Sequence, residues 1–272
     1  MKPIIVRGGG DIATGTVCQL SRAGYPVLIL ETESPSAIRR QVAFCEAVYE
    51  GTASVEGITA VRADSLAEAM DTVSPLRPAV LADPKGDSIR EIKPDVVVDA
   101  ILAKRNLGTK RDMAELTIGL GPGFSAGMDV DYVIETMRGH NLGRIITDGP
   151  AMKDTGVPGL IMGFGKERVL HAPAEGLIYG RTEIAGQVKK GDLVAVIQPE
   201  DGRQVPVPAS LDGIVRGLIR DGYPVQKGFK IADIDPRTEE KDNCFTISDK
   251  ARCIGGSVLQ LVCAREKGQL WR

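Results

Sequence analysis

The sequence predicts an α/β protein in two parts, a mostly parallel sheet built around a glycine loop and a small all-β module after it. Three observations carry this. The chain opens with an apolar run, a glycine-rich loop, a helical stretch and a second apolar run, ending at Glu31. Short β-branched runs then recur as far as Ile146, each closed by a polar or glycine turn. From Val169 the texture changes to glycine-punctuated β segments that repeat once.

Ile4-Ile5-Val6 reads as a buried parallel strand, and Gly8-Gly9-Gly10-Asp11-Ile12-Ala13-Thr14-Gly15 breaks it. A helix through Val17, Leu20 and Ala23 stops at Gly24, and Pro26-Val27-Leu28-Ile29-Leu30 forms the second strand, closed by Glu31. Gly8, Gly10 and Ala13 fit G-x-G-x-x-G/A: a tight turn, close approach of a pyrophosphate, and close packing of helix on sheet. Amides at the helix start favour an anion. Glu31 lies about twenty residues on, where a carboxylate can hold ribose hydroxyls. Gly8, Gly9, Gly10, Asp11, Ile12, Ala13 and Glu31 are therefore expected to bind a nucleotide in a Rossmann-like domain spanning 1–165. The plain alternative is a glycine turn that only joins strand to helix.

The length of 272 residues favours two domains, and 43% hydrophobic residues can fill real cores. A net charge of -2 and the lack of a long basic run argue against a nucleic-acid or membrane surface. No apolar stretch reaches the roughly 18 residues of a membrane span, and no signal-peptide pattern precedes the first strand. Five cysteines without a C-x-x-C pair point to a reducing, cytoplasmic setting.

Beyond Glu31, Ser34 is expected to cap a helix with Pro35 in its first turn, placing Arg39 and Arg40 near ligand phosphates or on a solvated face. A turn or strand over Phe44–Gly51 and a short element over Val55–Ala60 follow. Ser65 opens a helix that ends before Pro75. Ala79–Asp83 and Pro94–Ala100 read as buried strands. Asp99, Lys104, Arg105 and Asn106 leave the end of the second, a cluster suited to phosphate or carboxylate recognition, or simply a charged loop. Leu116–Leu120 runs into Gly121-Pro122-Gly123-Phe124, where successive amides can form an anion-binding nest. Tyr132–Glu135 and Ile145-Ile146 add further strand, within an open α/β sheet.

In the second half, Gly176, Val188, Gly191 and Ile197 map onto Gly213, Val225, Gly228 and Ile234 at one constant offset. The pattern A-P-x-x-G, then V-x-x-G-(D/F)-x-(V/I)-A, resembles the biotinyl/lipoyl-carrier barrel-sandwich fold, which is expected over 166–236. The connection Gln198–Gln204 holds no lysine, so neither biotin nor lipoate is expected, and the module reads as a docking, lid or oligomerisation element. The segment 237–272 is expected to pack back on the first domain, with Lys250, Arg252 and Gly255-Gly256 near the ligand as the alternative.

His140 and His171 are the only histidines, so no metal site is expected, and G-x-S-x-G is absent. Cys18 is expected in the core. Cys45, Cys244 and Cys253 are the more open candidates for sulfur or selenium chemistry.

GGGDIATG (Gly8–Gly15), IRRQVAFCEAVYEG (Ile38–Gly51), VVVDAILAKRNLGT (Val96–Thr109), GLGPGFSAG (Gly119–Gly127), VIETMRGHNLGRII (Val133–Ile146) and ISDKARCIGG (Ile247–Gly256) resemble YqeB-type proteins over essentially the whole chain. These are accessory proteins of selenium-dependent molybdenum hydroxylase systems, broadly similar to XdhC-type maturation factors. The resemblance implies an accessory factor that binds a nucleotide or the molybdenum cofactor dinucleotide. Its partners would be a hydroxylase subunit or cofactor-biosynthesis proteins, with a homo-oligomer also open. It carries no catalytic residue over. The alternatives are an NAD-dependent oxidoreductase, for which Glu31 disfavours a 2′-phosphate, and a non-catalytic scaffold docking a hydroxylase subunit.

Overall fold

The computed structural model describes residues 2–271, which divide into two compact units. The first is Met1–Pro35, Ala43–Thr155 and Ile247–Arg272; the second is Ser36–Val42 and Gly156–Thr246.

In the first unit, strand β1 (Ile4–Arg7) leads to helix α1 (Asp11–Arg22) and strand β2 (Val27–Glu31). Helix α2 (Ala47–Glu50), strands β3 (Thr52–Val55) and β4 (Ile58–Ala63), and helix α3 (Leu66–Thr72) follow. Then come β5 (Ala79–Ala82), α4 (Ser88–Ile92), β6 (Val96–Asp99) and β7 (Leu116–Leu120), with β8 (Ser125–Ala126), β9 (Tyr132–Ile134), β10 (Ile145–Ile146) and β11 (Gly149–Pro150). Nine of these strands form one sheet in the order β10-β9-β7-β6-β1-β2-β5-β4-β3. Its middle is parallel, with Ile5 opposite both Leu28 and Val97, while β3 and β10 close the edges antiparallel. The central strands are apolar on both faces because both are covered. On one face Ile5, Leu28, Leu30, Ala79, Leu81 and Val97 form a continuous core.

The second unit holds β12 (Val169–His171), β13 (Gly176–Gly180), β14 (Gln187–Val188) and β15 (Leu193–Gln198). A second set repeats them: β16 (Val205–Pro208), β17 (Gly213–Leu218), β18 (Pro224–Val225) and β19 (Lys230–Asp235). They make two four-stranded sheets, β12-β19-β17-β14 and β16-β15-β13-β18, around a core that includes Ile178, Ile197, Val215 and Ile234. The sequence repeat is visible in this pairing: each sheet takes two strands from each set, in the same order. The chain then returns to the first unit as α5 (Asp249–Glu266).

The expected fold class is overturned. A Rossmann-like, mostly parallel sheet needs a packed helix in each crossover, but this is a large mixed sheet with few helices. Among the described residues only the helices α1 and α5 exceed seven residues. β2 reaches β5 through the antiparallel β3–β4 pair, and β6 reaches β7 through a single 3-10 turn. Prolines at 75, 78, 84 and 94 interrupt the stretches where crossover helices would run. Nor is there an appended C-terminal barrel-sandwich: the all-β unit is assembled from two chain segments and is followed by α5.

Two local expectations also change. No helix starts at Pro35; Leu218 N donates to Ile38 O at 2.9 Å, so the segment is held alongside β17 instead. Arg39 and Arg40 are spent there on main-chain carbonyls, of Asn243 and Thr246 and of Leu218 respectively, rather than on a ligand. Ser65 does cap α3, accepting from Glu68 N at 3.2 Å.

Candidate ligand-binding site

The sheet order reverses between β1 and β6: the chain leaves β1 towards β2 on one side, while β6, β7 and β9 lie on the other. In open sheets with a parallel middle, ligands bind beyond the strand ends at such a point. The glycine loop occupies that position, and each glycine there has its own reason. Gly8 has a φ of 93°, and a Cβ on it would lie 3.0 Å from Ala100 O and Ile101 Cα, just past the end of β6. A Cβ on Gly9 would meet Cys45 N at 2.9 Å. Gly10 is the N-cap of α1 without a side-chain cap, and nothing lies within 4 Å of its Cβ position.

The loop is braced from behind. Gly9 O accepts from Cys45 N at 2.9 Å and from Thr14 Oγ1 at 3.2 Å, and the same hydroxyl accepts from Phe44 N at 2.9 Å. Glu31 reaches the loop from the end of β2, its Oε1 accepting from Gly9 N at 2.8 Å and its Oε2 from Thr32 N at 2.6 Å. Each carboxylate oxygen has two lone pairs, so Glu31 keeps acceptor capacity for a hydroxyl pair. Asp11 is the partly buried first residue of α1, while Ile12 and Ala13 are buried and set the helix against the sheet.

The remaining residues expected at the site have internal duties. Asp99 is buried and accepts from Thr109 Oγ1 at 2.6 Å and Ile101 N at 3.1 Å. Asn106 folds its own loop, its Oδ1 accepting from the amides of Gly108 and Thr109, both at 2.8 Å. Lys104 is exposed and pairs with Asp154 at 2.6 Å. The backbone of Arg105 lies against Gly123, and Gly121 against Thr136. Phe124 is buried with Ala126, Val130 and Val133. Glu31 thus lies against the glycine loop, and the second group serves the loops that follow β6 and β7.

Several contributors escaped the sequence reading. Arg7, which ends β1, is wholly buried and donates to Thr109 and to Pro84 O. Glu135, just past β9, accepts from Met137 N at 2.7 Å and Met152 N at 2.8 Å. A charged residue ending an apolar strand was the only available signal for both. The tail forms the 18-residue α5, in which Gly255 packs on Gly15 O and Thr16 Cα of α1 rather than on a ligand. Cys45 and Cys244 are buried instead of open. Burial, then Glu31, Glu46 and Asp11, push the Cys45 thiol well above its ordinary range. Among the described residues no group of three or more His, Cys, Asp or Glu is placed to hold a metal ion, and no helix is long and apolar enough to cross a membrane.

No family model matches the chain. It is 50% identical over 258 residues to the uncharacterized protein YqeB of Escherichia coli (strain K12), covering 94% of this chain and 46% of that protein. The match supports the YqeB family. The chain spans about half the length of this YqeB relative, which is itself described only as uncharacterized. Solved structures that align include the ectoine utilization protein EutE (DoeB) of Ruegeria pomeroyi in product-bound form. It is 12% identical, covers 86% of this chain and 85% of that one, and has a TM-score of 0.31. An aspartoacylase family protein of Mesorhizobium loti is 12% identical, covering 76% of this chain and 56% of that one, with a TM-score of 0.26. At such scores no property passes from these proteins to this chain. Other solved structures that align are a succinylglutamate desuccinylase/aspartoacylase of Rhodobacter sphaeroides and a succinylglutamate desuccinylase of Silicibacter, with TM-scores of 0.23 and 0.26. The Rossmann-like part of the expected description is corrected by the mixed sheet described above.

Proposed function

We propose that this chain is an accessory binding protein that takes the phosphate end of a nucleotide or dinucleotide at the start of α1, with Glu31 holding a ribose. One observation carries the reading. The uncapped N-terminus of a 12-residue helix opens, at Gly10, onto free space beside the reversal point of the sheet. Helix-start amides and the helix dipole favour an anion there. Glu31 is already aimed at the loop through Gly9 N. No catalytic step is assigned. The process served, maturation of a molybdenum hydroxylase, rests on the sequence resemblance alone and enters as the choice of probe.

The test is calorimetric titration with NAD, NADP, ATP, CTP and molybdopterin cytosine dinucleotide. Gly10→Trp is an informative control: Gly10 has a φ of -66°, so the backbone accepts a side chain and the indole fills the open space. Glu31→Gln keeps an acceptor for Gly9 N while removing the charge. Binding of at least one probe, lost in Gly10→Trp and weakened in Glu31→Gln, supports the reading. Binding of NAD alone would redirect the function to an oxidoreductase using the same site. No binding, or binding indifferent to Gly10→Trp, overturns it and leaves a docking scaffold.

A further inference from the structure

After Pro35 the chain leaves the first unit, builds Ser36–Val42 into the all-β unit, and returns at Ala43. The seat of that segment is close. Ile38 packs against the core of the all-β unit, and its carbonyl accepts from Leu218 N at 2.9 Å. Arg40 Nε donates to Leu218 O at 2.8 Å. Gly217, at a register shift in β17, leaves no space beside Ile38. A Cβ on it would lie 2.8 Å from Ile38 Cγ2 and 2.9 Å from Ile38 O. A bulge at a glycine is a way for a strand to admit a second backbone this closely.

The returning residues hold the glycine loop. Cys45 N donates to Gly9 O at 2.9 Å. Phe44 N donates at 2.9 Å to Thr14 Oγ1, the hydroxyl that itself donates to Gly9 O. Seat and clamp are joined by two single 3-10 turns, Arg40–Val42 and Phe44–Glu46, with Ala43 extended between them. Val42, Ala43, Phe44 and Cys45 are each at most 1% exposed. Close-packed residues pass a displacement on rather than absorb it, so a shift at Ile38 reaches Cys45 along a short, buried stretch of backbone.

We propose that Ser36–Glu46 is a regulatory strap: how it is seated in the all-β unit sets how tightly the glycine loop is held. The coupling runs through the chain itself. As regulation of ligand binding it rests on the nucleotide reading above, but its test needs no ligand.

The experiment follows alkylation of Cys45 by iodoacetamide in the native full chain, read by peptide mass spectrometry. Wild type is compared with Thr14→Val, Gly217→Ala, Arg40→Met and Ile178→Val. Thr14→Val takes the hydroxyl out of the clamp, whereas Gly217→Ala and Arg40→Met act at the seat alone. Ile178→Val trims a buried residue of β13, in the other sheet, and controls for general loosening of the all-β unit. Each of the first three should speed Cys45 alkylation about tenfold or more by local opening. Cys18, buried on α1, should stay protected, and Ile178→Val should label at close to the wild-type rate. Wild-type rates in both seat variants, or in Thr14→Val, overturn the inference. So does Cys45 labelling that Cys18 or Ile178→Val matches, because that is general unfolding. If the seat variants release Cys45 and no nucleotide binds the protein, the strap stands and the nucleotide reading fails.

Discussion

Arg7 and Asp99, paired across the adjacent strands β1 and β6, share a single hydroxyl. Their side chains come within 3.5 Å of each other, and Thr109 Oγ1 lies 2.5 Å from the guanidinium and 2.6 Å from the carboxylate. Both side chains are at most 2% exposed. Burial pushes the Asp99 carboxyl up, against Thr109, Arg7 and the amide of Ile101, which favour its charged form. This trio holds the loop Ala100–Thr109 against the end of β1, directly behind the glycine loop.

Removing one member leaves a buried charge uncompensated. Arg7→Met is therefore expected to cost about 3–5 kcal/mol, and the double variant Arg7→Met/Asp99→Leu much less than the sum of the singles. Urea unfolding of the four proteins measures the coupling. Additive losses would mean that the pair is not energetically linked.

Two glycines only a short way apart in the tail and α1 should respond in opposite directions. Gly15→Ala drives a methyl into Ala251 at 2.6 Å and is expected to destabilise by about 1–3 kcal/mol through overpacking. Gly256→Ala, in α5 with nothing within 4 Å, should instead stabilise by about 0.5–1 kcal/mol, the ordinary helix gain. Thermal unfolding of both variants decides; equal effects would contradict the close crossing of α1 and α5.

Asp83 offers a pH signature. Burial raises its carboxyl, but the Ser88 hydroxyl and the amides of Ser88, Asp87 and Gly86 outweigh this and hold it below the usual 3.8. A carboxylate lowered in the folded state adds stability that is complete above its unfolded value and lost as pH falls through the folded one. Asp83→Ala should cost about 1 kcal/mol at neutral pH, a capping loss. The gap from wild type should shrink as pH drops below 3.8. A gap that does not narrow at all as pH falls below 3.8 would refute the assignment.

Thiol reactivity should rank by exposure. Cys253 is exposed and Cys18 is buried, with burial pushing the Cys18 thiol up to about 12, helped by Glu56 and opposed by Arg22. Iodoacetamide in native buffer at neutral pH should alkylate Cys253 first and leave Cys18 and Cys45 intact until denaturant is added. Peptide mapping over time reads this directly; rapid native labelling of Cys45 would show that the loop behind Gly9 opens.

The start of the site was legible because its signals are contiguous. Ile4 to Glu31 encodes a strand, a loop that tolerates no Cβ at Gly8 or Gly9, a helix and a strand ending in an acid, and the structure brings Glu31 to Gly9 N. The strands at β5, β6, β7 and β9 were legible for the same reason, as apolar runs bounded by turns. α5 was hidden by Gly255-Gly256-Ser257, which weaken helical propensity locally and make sense only against α1.

By itself the sequence determined where the apolar runs, turns and glycines lie, hence the strands, the loop, the internal repeat and the Glu31 carboxylate within reach of it. Tertiary structure decided the rest. It set the mixed edges of the sheet, the assignment of Ser36–Val42 to the all-β unit, and the burial of Asp99 with Arg7. It alone also showed that Asn106 and Phe124 serve their own loop and core. The physical reason is range. Periodicity and turn chemistry act over a few residues, whereas a buried charge finds its partner, and an edge strand its direction, only when segments as far apart as Arg7 and Asp99 are brought together.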